Sequence, residues 1–82
     1  MAISKSEDIY NMIGKNIKKY RKLKGLTQRE LAEALLLSDN FIAKLESVTM
    51  QTLSVDTLYW IARELDTPVG NFFDESVMEQ KK

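Results

Sequence analysis

The chain has 82 residues, 44% hydrophobic and 29% charged, with Lys plus Arg and Asp plus Glu at 12 each, a composition that fits one globular domain with a modest core and excludes disordered and membrane classes. It has no cysteine and no histidine, which excludes disulfides, thiolate or imidazole metal sites and Ser-His or Cys-His catalysis, so neither a metal, a cofactor nor an enzyme is expected. The zero net charge hides an asymmetry: up to residue 25, Lys5, Lys15, Lys18, Lys19, Arg21, Lys22 and Lys24 face only Glu7 and Asp8, whereas the remainder is acidic. One basic patch on an acidic body suits an anion-binding or self-associating protein.

The opening stretch MAISKSEDIYNMIGK never holds an apolar run long enough for a signal peptide or a membrane span, so a cytoplasmic protein is expected. Residues 1–7 read as a tail. From about Asp8 to Lys24, Ile9, Ile13, Ile17 and Tyr20, with Met12 and Leu23 alongside, recur every three or four residues and predict an amphipathic helix, ended by Gly25 in a left-handed position. At about 100° per residue, Lys15, Lys18, Lys19 and Lys22 gather on the opposite side, either as a solvated face or as a phosphate-contacting one.

Thr27-Gln28-Arg29-Glu30 is a capping box that starts a second helix with Leu31, Ala32 and Leu35 inward. The segment EALLLSDNFIAKLE then reads as two helices rather than one, because Ser38 is a helix cap after three leucines. The third helix, about Asp39 to Ser47, buries Phe41 or Ile42 and Leu45 and leaves Asn40, Ala43 and Lys44 outward. Val48 to Leu53 is uncharged and aperiodic, so it predicts a loop. Ser54 caps a fourth helix through Asp66, with Val55, Leu58, Ile61, Ala62 and Leu65 inward. Thr67-Pro68 starts a short fifth helix ending at Phe72 and Phe73, and 75–82 is a polar tail. The expected fold is all-α: five helices over residues 8–74, with a helix-turn-helix at about 28–47.

The run IGKNIKKYRKLKGLTQRELAEALLLSDNFIAKLE, followed by DTLYWIARELDTPVGNFF, resembles the Cro/cI-type, lambda-repressor-like (XRE) helix-turn-helix DNA-binding family over residues 13 to 74. Gln28, Leu31, Ala32, Leu35, Leu37, Ile42 and Leu45 match its pattern, and Ala32 suits a close helix crossing. The resemblance implies that the helix from Asp39 lies in the major groove of double-stranded DNA, with Ser38, Asp39, Asn40, Ala43 and Lys44 facing base edges. It places Thr27 and Gln28 on phosphates, with Lys19, Arg21, Ser47 and Thr49 as further phosphate candidates. It also implies an Arg21–Glu46 ion pair. Asp39 has a second reading as a favourable charge at its own helix N-terminus.

Two departures from the family pattern stand out. Leu36 occupies a turn position where the family prefers glycine, so it is expected to be left-handed or the turn rearranged. Thr27 to Ser54 carries Arg29 and Lys44 against Glu30, Glu33, Asp39 and Glu46, poor electrostatics for meeting phosphates. Trp60 falls outside the inward stripe of its helix; it either folds over the domain edge or, with Phe72 or Phe73, makes a homodimer contact. The leading expectation is a dimeric transcriptional regulator, a repressor, on a palindromic operator, controlled through its own concentration or a partner protein. The alternative is a helix-turn-helix scaffold serving as a protein-interaction module.

Overall fold

In the computed structural model, which describes residues 6–47 and 52–78, the apolar periodicity resolves into four α-helices followed by two short 3-10 helices. They are α1 (Ser6–Lys24), α2 (Gln28–Ala34), α3 (Asp39–Glu46), α4 (Val55–Glu64), η1 (Val69–Phe73) and η2 (Glu75–Met78). No strand occurs among the described residues. The all-helical expectation holds, with the fifth helix in 3-10 form and Pro68 as its cap rather than its first residue. Residues 48–51, the greater part of the expected loop, lie outside the described residues.

The core is built from one stripe of each helix. Met12, Ile13 and Ile17 of α1, Leu31 and Ala32 of α2, Ile42 and Leu45 of α3, and Leu58, Ile61, Ala62 and Leu65 around α4 are buried together with Phe72. Leu35, Leu37 and Phe41 pack against this cluster from its edge. Three inward assignments are corrected: Val55 is 83% exposed, Leu23 is 73% exposed and Ile9 is exposed as well. Each lies towards a helix end, and Ile9 and Val55 line an open groove with Phe73 rather than the closed core, so correct helical phase does not bring burial. The polar tail is corrected in part, because η2 docks on α1 and buries Val77.

The C-terminal segment is held to α1 by a residue that periodicity hides. Asn16 is fully buried, and its Nδ2 donates to the carbonyls of Met12, Phe72 and Asp74 at 3.0 to 3.1 Å. Its Oδ1 has no partner. With three carbonyls around one amide end, the nitrogen must face them. Nearby, Asp74 lies below the ordinary carboxylate range, chiefly because the Ser76 N–H and hydroxyl bond to it and secondarily because of the Lys19 charge. Asp56 is lowered in the same way by the Ser54 hydroxyl and the Thr57 N–H at the start of α4.

Three helices end in the same way. After α1, the Leu26 N–H bonds to Arg21 O and the Gly25 N–H to Lys22 O; after α2, Leu37 bonds to Ala32 and Leu36 to Glu33; after α4, Thr67 bonds to Ala62 and Asp66 to Arg63. These paired six-to-one and five-to-two bonds are Schellman caps, which require a left-handed residue at their centre. That residue is Gly25 with φ 80°, Leu36 with φ 58° and Asp66 with φ 54°. Only the first is glycine. Leu36 is therefore left-handed as expected, and its side chain, 94% exposed, is thrown clear of the core.

Helices α1 and α3 cross closely at Gly14. A Cβ on Gly14 would stand 1.7 Å from the Leu45 carbonyl oxygen. Gly14→Ala is expected to lower the unfolding free energy by at least about 3 kcal/mol, the top of the ordinary overpacking range, despite the helix propensity that alanine adds. Denaturant titration followed by circular dichroism measures it, and near-wild-type stability would mean that the crossing is wider than described. At Leu36 the sign reverses: Leu36→Asn, which tolerates the left-handed region, is expected to gain roughly 0.5 to 1 kcal/mol when the same titration is run at high dilution. A loss there would mean that the leucine packs.

Candidate nucleic-acid interface

The helix-turn-helix is positioned from behind by one buried carboxylate. Glu46, at the end of α3, accepts from Arg21 Nε at 2.7 Å and from Arg21 Nη2 at 2.9 Å, and from Gln28 Nε2 at 3.0 Å. Arg21 also donates through Nη1 to Leu26 O at 2.6 Å, in the turn that leads from α1 to α2. The Arg21 and Glu46 side chains are only 8% and 2% exposed. One carboxylate thus joins three helices around a bidentate, charge-assisted pair. The expected ion pair is present, but the phosphate role proposed for Arg21 is not available to a head group that is buried and shared among these acceptors.

Local signals set the front of the motif. Thr27 caps α2 through the predicted box: its hydroxyl accepts from the Glu30 N–H at 3.0 Å and Glu30 Oε1 accepts from the Thr27 N–H at 2.9 Å. The Ser38 hydroxyl accepts from the Phe41 N–H at 3.1 Å and starts α3. With Ile42 and Leu45 buried behind it, α3 turns Asp39, Asn40 and Lys44 to solvent and leaves Ala43 half-buried between them. The side chains of Asp39, Asn40 and Lys44 make no hydrogen bond or ion pair with another described residue. Lying one and four residues apart, they form a single polar face about two turns long.

The acidic surplus of the motif does not sit on that face. Glu46 is neutralised by Arg21, and Glu33 pairs with Arg29 on α2 at 3.2 Å. What α3 presents outward is one carboxylate, Asp39, and one ammonium, Lys44. Exposed side-chain charge on α3 is therefore balanced, which answers part of the electrostatic objection to the motif's acidic surplus.

The remaining candidates are scattered. Thr27 is exposed beside the α2 start, and Gln28 is half-buried with one amide N–H committed to Glu46. The Ser47 hydroxyl donates to Lys44 O at 3.0 Å, and Thr49 lies outside the described residues. Lys15, Lys18, Lys19 and Lys22 line a shallow trough with Val77 on the flank of α1. Lys19 is two residues from Arg21 and so faces almost the opposite way, with its Nζ 5.2 Å from the Tyr20 ring centroid. Lys18, three residues from Arg21, is nearer the α3 side. Among the dimer candidates, Trp60 and Phe73 are 54% and 48% exposed, but Phe72 is fully buried against the edge of Tyr20 and belongs to the core. Sequence reasoning passed over Gly14 and Asn16, and also Arg63, which lies over both exposed rings of α4.

A double-mutant cycle tests the clamp. Glu46→Ala leaves a buried guanidinium uncompensated and is expected to cost about 3 to 5 kcal/mol, as is Arg21→Ala. The pair is expected to cost much less than the two single changes together, whereas strict additivity would show that the groups do not interact.

Residues 14–74 match a family model described as a helix-turn-helix domain. Over 64 residues the chain is 34% identical to the HTH-type transcriptional regulator SinR of Bacillus subtilis (strain 168), covering 78% of this chain and 58% of that protein. The chain thus spans a little over half the length of this curated relative.

Proposed function

The chain belongs to the Cro/cI-type helix-turn-helix family, and from that premise we propose that it is a sequence-specific double-stranded DNA-binding transcriptional regulator, a cytoplasmic repressor acting as a homodimer on a palindromic operator. In this reading α3 enters the major groove and α2 crosses the backbone. Asn40 pairs with adenine N6/N7, Lys44 with guanine O6/N7, and Asp39 accepts from cytosine N4, with Ser38 and Ala43 completing the base-facing set. Thr27, Gln28, Ser47, Thr49 and the lysine stripe that includes Lys19 supply phosphate contacts, which set affinity but not sequence.

The observation that carries this reading is the division of labour on α3. Its back is locked by Glu46, Ile42 and Leu45, while its front displays polar side chains that have no partner among the described residues. A rigid helix whose exposed donors and acceptors are unspent is what base-edge readout needs. A second reading, a protein-interaction module, is favoured by the exposed Tyr59, Trp60 and Arg63 group on α4. Function as a binding module, not catalysis, is common to both.

Selection from random duplexes, with affinities measured at two salt concentrations, separates the readings. The DNA reading expects one preferred, roughly palindromic site and affinity that falls with salt. Absence of binding at low salt would sink it and leave the interaction module. Within it, Lys44→Ala is expected to relax preference at one base position by roughly 1 to 3 kcal/mol, while Lys19→Ala weakens all duplexes alike and flattens the salt slope. Identical profiles for both variants would refute the assigned roles.

A further inference from the structure

The turn that introduces α3 carries a side chain that the folded monomer does not use. Leu36 stands in a left-handed conformation, 94% exposed, where glycine or asparagine would relieve strain and lose almost no burial. Beside it lies a notch of about 330 Å³ lined mainly by apolar groups of Ala34, Leu35, Leu36, Leu37, Thr57 and Trp60. A leucine knob and an apolar hole thus adjoin on one surface. No residue of α3 lines the notch, so it stands apart from the base-facing set.

Trp60 extends this surface along α4. Its ring meets that of Tyr59 edge to face at 5.3 Å between centroids, and the Arg63 guanidinium lies 5.8 and 5.9 Å from the two rings. Arg63 donates to the Tyr59 hydroxyl and has no carboxylate partner among the described residues. Exposed Trp, Tyr and Arg in mutual contact are the side chains that concentrate binding energy at protein interfaces.

We infer that this face is the homodimer interface, with Leu36 of each copy seated in the Leu35–Leu37–Trp60 notch of the other. A two-fold axis requires one patch to complement itself, and a knob beside a matching hole does so. Charge agrees with the same pairing. One turn before Leu36 is Glu33, whose carboxylate has an exposed pair with Arg29, and three residues after Trp60 is Arg63, which has no carboxylate partner among the described residues. Seating each leucine in the opposite notch brings the acidic end of α2 towards the Arg63 side of α4. The proposal deepens the homodimer reading and shares its premise that two copies associate, but it does not depend on DNA.

Sedimentation of the whole chain without DNA, across about 1 to 100 µM, tests it. The wild type is expected to pass from monomer to dimer. Leu36→Asn and Trp60→Lys are expected to weaken association at least tenfold, Leu36→Asn without any loss of monomer stability. Phe73→Ser, in the separate groove formed with Ile9 and Val55, is expected to dimerise like the wild type. Glu33→Arg and Arg63→Glu each weaken association a few-fold, and the double variant recovers it. A wild-type dimer that Leu36→Asn and Trp60→Lys leave intact overturns this interface alone. A wild-type monomer throughout the range overturns both the interface and the homodimer reading, and duplex binding by that monomer would leave the DNA reading standing.

Discussion

Glu46 is bonded by donors from two other helices, and the placement of α3 depends on that carboxylate. Arg21 reaches it from α1 and Gln28 from α2, all within 3.0 Å, while one residue earlier the Leu45 carbonyl presses against Gly14. The two contacts work in opposite senses. Gly14 sets how near the helices come, and the ion pair sets how they are rotated about one another. A buried pair contributes little net stability, because desolvation consumes most of the Coulomb gain, but an arrangement that breaks the pair is heavily penalised. The clamp therefore excludes alternative packings of α3 more than it deepens the native well.

Charge accounting changes once pairing is known. By sequence, the helix-turn-helix is acidic and looks unfit to approach a polyanion. In the fold, two of its four carboxylates are bound to arginines, and a third, Glu30, caps the start of its own helix. Only Asp39 and Lys44 remain on the outward face of α3. Electrostatic suitability is a property of where charges end up, and a tally over a segment loses that information.

What could be read in advance was local. The capping box at Thr27, the caps at Ser38 and Ser54 and the stop at Gly25 each need only four or five residues, and all appear in the structure. Left-handed Leu36 was one of the two outcomes that the family resemblance implied, since the family prefers glycine there. The misses share a cause, namely dependence on a distant partner. Asn16 occupies a core phase of α1 with a polar side chain, which makes sense only beside the carbonyls of Phe72 and Asp74. Gly14 looks like a weak helix residue until the Leu45 carbonyl arrives. Val77 sits in a polar stretch and needs α1 to be buried, whereas Val55 has the correct phase but faces an open groove. Of the candidate site, the outward α3 face could be inferred from phase alone, but the burial of the Arg21 head group and its bond to Leu26 O could not.

The separation of the two faces of α3 bears on how such a protein changes over generations. The side chains of Asp39, Asn40 and Lys44 bond to no other described residue, and the turn before them is held by main-chain hydrogen bonds that survive most side-chain replacements. Surface substitutions of this kind usually leave stability within about 0.5 kcal/mol of where it began. Exchange at these three positions is thus nearly free of folding penalty, so the specificity of the outward face can drift while the scaffold behind it stays under separate constraint.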